Sequence, residues 1–280
     1  MKMESSKWRK KTMKYLSYYG MNDNPFGKYV SEDNIYESED VKEAVSRIEY
    51  AVETDGIAMI TGEPGTGKTT AVRKYLDELD TELYKLIYLS AGNYKVFDFY
   101  HALCHAVAIS TERCQYINMY ERIQKEFVRL QEEDRVKPVV VIDDAHLLPR
   151  RILDEFKIFY DFDFDSRCYV TVIIVGNDGI RKRVRENKYE SLRDRIVTNY
   201  EMKSLTSEEA SEYIKARIAD VGGNPDIFNK QVLNAICHAG RGNARRINTL
   251  VTNLLMLGYT QKKTEFDVED VKMARDEMSI

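Results

Sequence analysis

Residues 62–69 read Gly62-Glu63-Pro64-Gly65-Thr66-Gly67-Lys68-Thr69. Ahead of them Gly56-Ile57-Ala58-Met59-Ile60-Thr61 is a short apolar run, and behind them Thr70-Ala71-Val72-Arg73-Lys74-Tyr75-Leu76 has helical spacing. A strand, then GxxxxGK[ST], then a helix is the setting of a phosphate-binding loop. Glycines at 62, 65 and 67 let the backbone turn tightly and bring its N–H groups to phosphate oxygens, and the helix start adds its positive end. Lys68 then reaches the β- and γ-phosphates, the Thr69 hydroxyl ligates Mg²⁺, and Glu63, Pro64, Thr66 and Thr70 complete the loop. A glycine turn joining a strand to a helix is the plainer alternative. Here, however, every fixed position of the motif is filled and both flanks fit. The expectation is a nucleoside triphosphate site.

The strands around the loop extend this picture. Leu83–Leu89 and Pro138–Asp144 are apolar runs, as are Tyr169–Val175 and Ile196–Met202, and helical patterns lie between them. Helices are expected at about 38–54, 96–108, 119–132, 149–160 and 178–188, with a polar turn at Ser191–Arg195. Strands alternating with helices predict an α/β fold with a five-stranded parallel sheet covered on both faces. After Leu205 the strands stop, and helices near 207–221, 229–239, 243–257 and 267–277 form a small all-helical lid. The expected organisation is an N-terminal extension at 1–37 contacting the nucleotide site or a neighbour, an ATPase-type core at 38–205 and the lid at 206–280. Residues 15–37, aromatic and turn-rich, suit wrapping a neighbouring surface more than forming a core of their own.

Composition is that of an ordinary globular chain: 280 residues, 43% hydrophobic and 31% charged, with a net charge of −4. There is no bulk basic signature for nucleic acid, although a local patch in an assembled oligomer can suffice. The basic start around Trp8 (Lys7, Arg9, Lys10, Lys11, Lys14) either touches phosphate or is a solvated tail. No apolar run reaches a membrane span and no secretory signal opens the chain, so a cytoplasmic protein with no membrane contact is expected. Cys104, Cys114, Cys168 and Cys237 are scattered and read as reduced thiols. His101, Cys104 and His105 share a helical stretch without a carboxylate beside them, which does not make a metal site.

Asp143 and Asp144 end the third strand, where a parallel sheet places its crevice. Asp143 suits the Mg²⁺ shell and Asp144 suits polarising the attacking water. Asn177, closing the fourth strand, is the right type to orient that water, though Gly-Asn is also a common turn pair. Arg193 and Arg195 straddle Asp194, and either can supply a guanidinium to a neighbour's γ-phosphate or make a surface ion pair. Arg245 stands in the first turn of a helix, against the dipole, which points to a phosphate contact or to plain exposure.

Taken together, the chain over residues 15–275 resembles the ExeA-like group of AAA+ ATPases. The resemblance rests on Tyr18-Tyr19-Gly20, Asn24-Pro25-Phe26, Tyr36-Glu37-Ser38, the P-loop, Asp143-Asp144-Ala145-His146-Leu147-Leu148, Leu192-Arg193-Asp194-Arg195-Ile196 and Gly242-Asn243-Ala244-Arg245. It implies ATP with Mg²⁺, Walker A roles for Lys68 and Thr69, and the Walker B metal role for Asp143. Asn177 falls at sensor 1, Arg193 or Arg195 at the arginine finger and Arg245 at sensor 2, with Phe26 and Tyr36 packing by the adenine. It further implies similarity to the TnsC, TniB and Mu B type regulators of transposition, which form oligomeric rings or filaments on duplex DNA and recruit a DDE-type transposase. Lys95, in the loop after the second strand, is the DNA contact this resemblance suggests. Other members of the group serve secretion, usually with an added membrane and peptidoglycan-binding part, and the end at Ile280 favours transposition over that alternative and over a signalling switch. The group usually has Asp-Glu where this chain has Asp143-Asp144, so slow hydrolysis is expected.

Overall fold

The computed structural model describes residues 14–27, 35–111, 116–162 and 168–278. The basic start around Trp8 (Lys14 apart) and Cys114 lie outside the described residues. The chain divides into two compact units, residues 39–203 and residues 1–38 together with 204–280.

The unit of residues 39–203 is built on strands β1 (Ile57–Gly62), β2 (Tyr84–Ser90), β3 (Lys137–Asp143), β4 (Thr171–Gly176) and β5 (Ile196–Met202). All pair in parallel, in the order β2-β3-β4-β1-β5. Five strands alternating with helices, expected from the apolar runs, are what the fold contains. Side chains alternate across the pleat, so each central strand feeds two layers. Val139, Val141, Ile173 and Val175 meet α2 (Glu39–Glu53) and α3 (Lys68–Asp77) on one face. Val140, Ile142, Val172 and Ile174 meet α4 (Val96–Ala106), α5 (Tyr116–Glu132) and the segments after β3 on the other. Burial on both faces explains why β1, β3 and β4 read as unbroken hydrophobic runs.

Three local expectations are corrected. The single helix at 149–160 is a short α6 (Arg150–Leu153) running into a 3₁₀ segment, Asp154–Phe159. Phe156, Ile158 and Phe159 are all buried there, a spacing that one stripe of an α-helix does not serve. The helix expected through 188 is α7 (Asp178–Val184), which stops at Arg185, and a 3₁₀ turn follows at Asn187–Tyr189. The polar turn at 191–195 is instead a helical turn, α8 (Glu190–Asp194), drawn in by the buried Leu192.

The second unit holds α1 (Lys14–Tyr18), α9 (Ser207–Asp220), α10 (Lys230–Gly240), α11 (Ala244–Gln261) and α12 (Val268–Met278). Tyr15, Leu16, Met21 and Phe26 are buried in one cluster with Ile214, Leu250 and Leu254 of these helices. The N-terminal segment therefore contributes to a core, which its turn-rich sequence did not convey. Helix α9 opens on a capping box: the Thr206 hydroxyl accepts from the Glu209 N–H at 3.2 Å and the Glu209 carboxylate accepts from the Thr206 N–H at 2.9 Å. Thr206→Ala is expected to cost about 1 kcal/mol, read as a lower thermal midpoint with unchanged nucleotide binding.

Candidate active site

Because β1, β3 and β4 run parallel and adjacent, their carboxyl ends open on one edge of the sheet. Thr61 lies opposite Gly176 in the ladder, so the P-loop after β1 and Asn177 after β4 leave the sheet side by side. Gly62 has φ +153, and a Cβ there would stand 2.6 Å from the Met202 carbonyl oxygen of β5, so only glycine fits. Gly67, at φ +95, turns the chain into α3. The Thr66 hydroxyl donates to the Glu63 carbonyl at 3.0 Å and holds the loop closed on itself.

Lys68 is buried, and its ammonium group donates to the Gly62 and Glu63 carbonyl oxygens at 2.9 and 2.7 Å. A cation is thus held inside the loop by neutral acceptors, which are weaker partners than a charged phosphate would be. The buried Asp143 carboxylate is fixed by three donors. Its Oδ2 accepts from the Thr69 hydroxyl at 3.0 Å and the Tyr88 hydroxyl at 2.8 Å, and its Oδ1 accepts from the Asp144 N–H at 2.8 Å. Burial first, then the bond to Asp143, push the Tyr88 phenol well above its ordinary value, so it stays a donor. Sequence reasoning missed Tyr88. Its signal is the alternation of Tyr84, Leu86 and Tyr88 on β2, which becomes meaningful once β2 is known to pair with β3, with Ser90 opposite Asp143.

Asp144 is exposed on a left-handed turn with φ 53, heading a 3₁₀ turn at Ala145–Leu147. The Asn177 side-chain oxygen accepts from the Gly179 N–H at 2.8 Å and caps α7, so the water-orienting role expected of this residue would need its amide donor end. Arg193 donates to the Val184 and Arg185 carbonyls at 3.4 and 3.1 Å, closing the carboxyl end of α7. The Arg195 guanidinium lies over the Tyr160 ring, 5.5 Å from its centre. Lys95 is exposed, at the head of α4, where its N–H donates to Asp98 at 3.2 Å.

Phe26, Tyr36 and Arg245 belong to the other unit. Phe26 is buried and its ring sits 6.5 Å from Tyr213, while Tyr36 packs edge-on to Tyr213 at 5.6 Å and donates to Glu212. Arg245 is exposed in the first turn of α11, which Asn243 caps. The nucleotide roles implied for these three rest on the resemblance alone. Cys104 is buried in the core of the first unit while His101 and His105 are exposed, so the three do not converge.

Among the described residues no group of three or more His, Cys, Asp or Glu side chains could hold a metal ion. The donors that do converge are the Thr69 hydroxyl and the Asp143 carboxylate. That set fits Mg²⁺, which takes one or two protein oxygens and completes its shell with substrate phosphates and water.

Residues 51–184 match the family model described as an AAA domain. This stretch is an AAA domain. It contains the P-loop, Asp143, Asp144 and Asn177, and an AAA domain so equipped is an ATP hydrolase. The chain is also similar to the general secretion pathway protein A of Aeromonas hydrophila, at 23% identity over 267 residues, covering 95% of this chain and 48% of that protein. It thus spans about half the length of that relative. Among solved structures, Cdc6p of Pyrobaculum aerophilum has a TM-score of 0.68 at 18% identity, covering 91% of this chain and 70% of its own. Drosophila ORC bound to DNA has a TM-score of 0.69 at 16% identity, covering 100% of this chain and 70% of its own. At these identities the likeness of the AAA domain and its companion helices to both is one of fold. No described helix is long and apolar enough to cross a membrane.

Proposed function

We propose that the AAA domain binds ATP with Mg²⁺ and hydrolyses it slowly, so that the ATP state works as an assembly switch. The observation that carries this is the carboxylate pair beside the P-loop: Asp143 held by three donors and Asp144 exposed next to it on a fixed turn. Lys68 exchanges its two carbonyl partners for the β- and γ-phosphates. Thr69 and Asp143 hold Mg²⁺, which when bound neutralises phosphate charge. Asp144 polarises the attacking water and the Asn177 amide orients it. Arg193 or Arg195 of a neighbouring copy stabilises the developing charge. Arg193 also closes α7, so Arg195→Ala is the cleaner test of a finger.

For the partner we propose duplex DNA, bound by a ring or filament of copies that recruits a DDE-type transposase. Support comes from the motif set shared with the transposition regulators, from the DNA-bound state of Drosophila ORC, and from the exposure of Lys95. A role on a protein client in secretion is the second reading, favoured by the similarity to the general secretion pathway protein A over 95% of the chain.

Duplex DNA binding by the purified protein with ATP, ADP or a slowly hydrolysed analogue separates the two. The expected result is binding with ATP or the analogue that is at least about tenfold tighter than with ADP and that weakens steeply with salt, as phosphate contacts do. Lys68→Ala should lose it. Failure of every nucleotide state to bind DNA at low salt would turn the assignment to a protein client.

A further inference from the structure

The edge strand β2 sends one side chain into the metal-binding corner, and nothing in the P-loop motif calls for it. Tyr88 lies opposite Val141 in the ladder, so it shares the face on which Val139, Val141 and Asp143 point toward α2 and α3. Its ring is long enough to reach forward along that face toward the level of Ser90, which lies opposite Asp143, and its hydroxyl donates to the Asp143 carboxylate at 2.8 Å. Yet the residue is 47% exposed and packs into no buried cluster, so filling a core does not account for it.

We propose that Tyr88 is a positioning residue for the Mg²⁺ site: its hydroxyl pins Oδ2 of Asp143, so that the carboxylate meets the incoming Mg²⁺–nucleotide already oriented. The proposal rests on the reading of Asp143 and Thr69 as the metal-holding pair. A carboxylate needs both oxygens fixed to have a defined plane. Oδ1 is fixed by the Asp144 N–H. Oδ2 has two donors, Thr69 and Tyr88, and they are not equivalent. The oxygen of the Thr69 hydroxyl is itself the metal ligand, so its hydrogen bond shifts with metal binding. The Tyr88 hydroxyl has no such second duty. It is the donor that holds Oδ2 both before and after the metal arrives, which is how outer-shell groups fix their ligands.

The test compares wild type, Tyr88→Phe and Leu86→Ala, the last being a neighbouring residue of the same face and the same 47% exposure. Binding of a fluorescent ATP analogue is measured in chelator and then across a Mg²⁺ titration, with the thermal midpoint of each nucleotide-free protein. Tyr88→Phe keeps the ring, and should keep the midpoint and the binding in chelator. The Mg²⁺ concentration that half-saturates the tightening of nucleotide should rise on the order of tenfold, the usual effect of losing an outer-shell partner. Leu86→Ala should leave that concentration unchanged. An equal Mg²⁺ requirement in Tyr88→Phe and a Mg²⁺-dependent wild type overturns the role of Tyr88 alone, as does an equal rise in Leu86→Ala. A wild type whose nucleotide binding ignores Mg²⁺ overturns the metal reading of Asp143, and the role of Tyr88 with it.

Discussion

Lys68→Ala is expected to lower steady-state ATP hydrolysis by about 10²–10³-fold, the loss that follows removal of one preorganised donor to developing transition-state charge. The side chain is nearly enclosed, at 9% exposure, and it donates to two loop carbonyls, at 2.9 and 2.7 Å. Those contacts are to neutral oxygens, and a charge-assisted bond to phosphate is roughly twice as strong as a neutral one, so a bound nucleotide is expected to replace them. An alanine leaves the two carbonyl oxygens without this donor, a local penalty of about 1–3 kcal/mol at most if neither finds water. The loop is also closed independently by the Thr66 hydroxyl on Glu63, so the fold should persist with a modest fall in thermal midpoint. Phosphate release and nucleotide affinity, measured beside that midpoint, check the prediction. A rate within tenfold of wild type would mean that the loop does not hold the reacting phosphates.

This part of the molecule was legible in sequence because its chemistry is local. Eight consecutive residues carry the loop, and the apolar run of β3 ends on the two carboxylates that the strand delivers to the crevice. The pairing of Thr69 with Asp143 follows from the parallel order that alternating strands and helices imply. Other features needed a neighbour that local pattern does not name. Tyr88 reads as one more aromatic of a half-exposed strand until β2 is set beside β3. The 3₁₀ segment buries Phe156, Ile158 and Phe159, a spacing that departs from an α-helical stripe only once the layer they pack into is known. Leu192 is a single apolar residue among polar ones, too little for a periodic signal, yet its burial winds the chain into α8. Tyr15, Leu16, Met21 and Phe26 find their core in helices nearly two hundred residues downstream in sequence, and no window spans that distance.

Asp144→Glu is expected to accelerate hydrolysis by about ten- to a hundredfold, the opposite of what most substitutions at a catalytic position do. The cause lies in reach. Asp144 sits on a turn that its surroundings hold firmly: its N–H is bound to Asp143 at 2.8 Å and its carbonyl accepts from the Leu147 N–H at 2.8 Å. The backbone therefore cannot advance to compensate for a short side chain, and the missing methylene leaves the carboxylate about 1 Å short of the place from which a longer one holds water. An error of that size costs on the order of a hundredfold in rate, and glutamate restores the length. The same turn also sets a cost of opposite sign. With φ 53, position 144 is left-handed, a conformation that Asp tolerates better than Glu, so the faster enzyme should be less stable by about 1 kcal/mol or less. Asp144→Ala should remove the residual rate without that gain. Phosphate release and the thermal midpoint of the three proteins decide the matter together. A glutamate variant as slow as wild type would show that Asp144 does not limit the water, and that a long-lived ATP state, if the protein has one, is set elsewhere. A faster glutamate variant that also loses ATP-dependent DNA binding sooner after ATP is added would tie the short side chain to the lifetime of the assembled state. That outcome would give the aspartate a function: it delays hydrolysis in a site otherwise complete, with Lys68, Thr69 and Asp143 all in place.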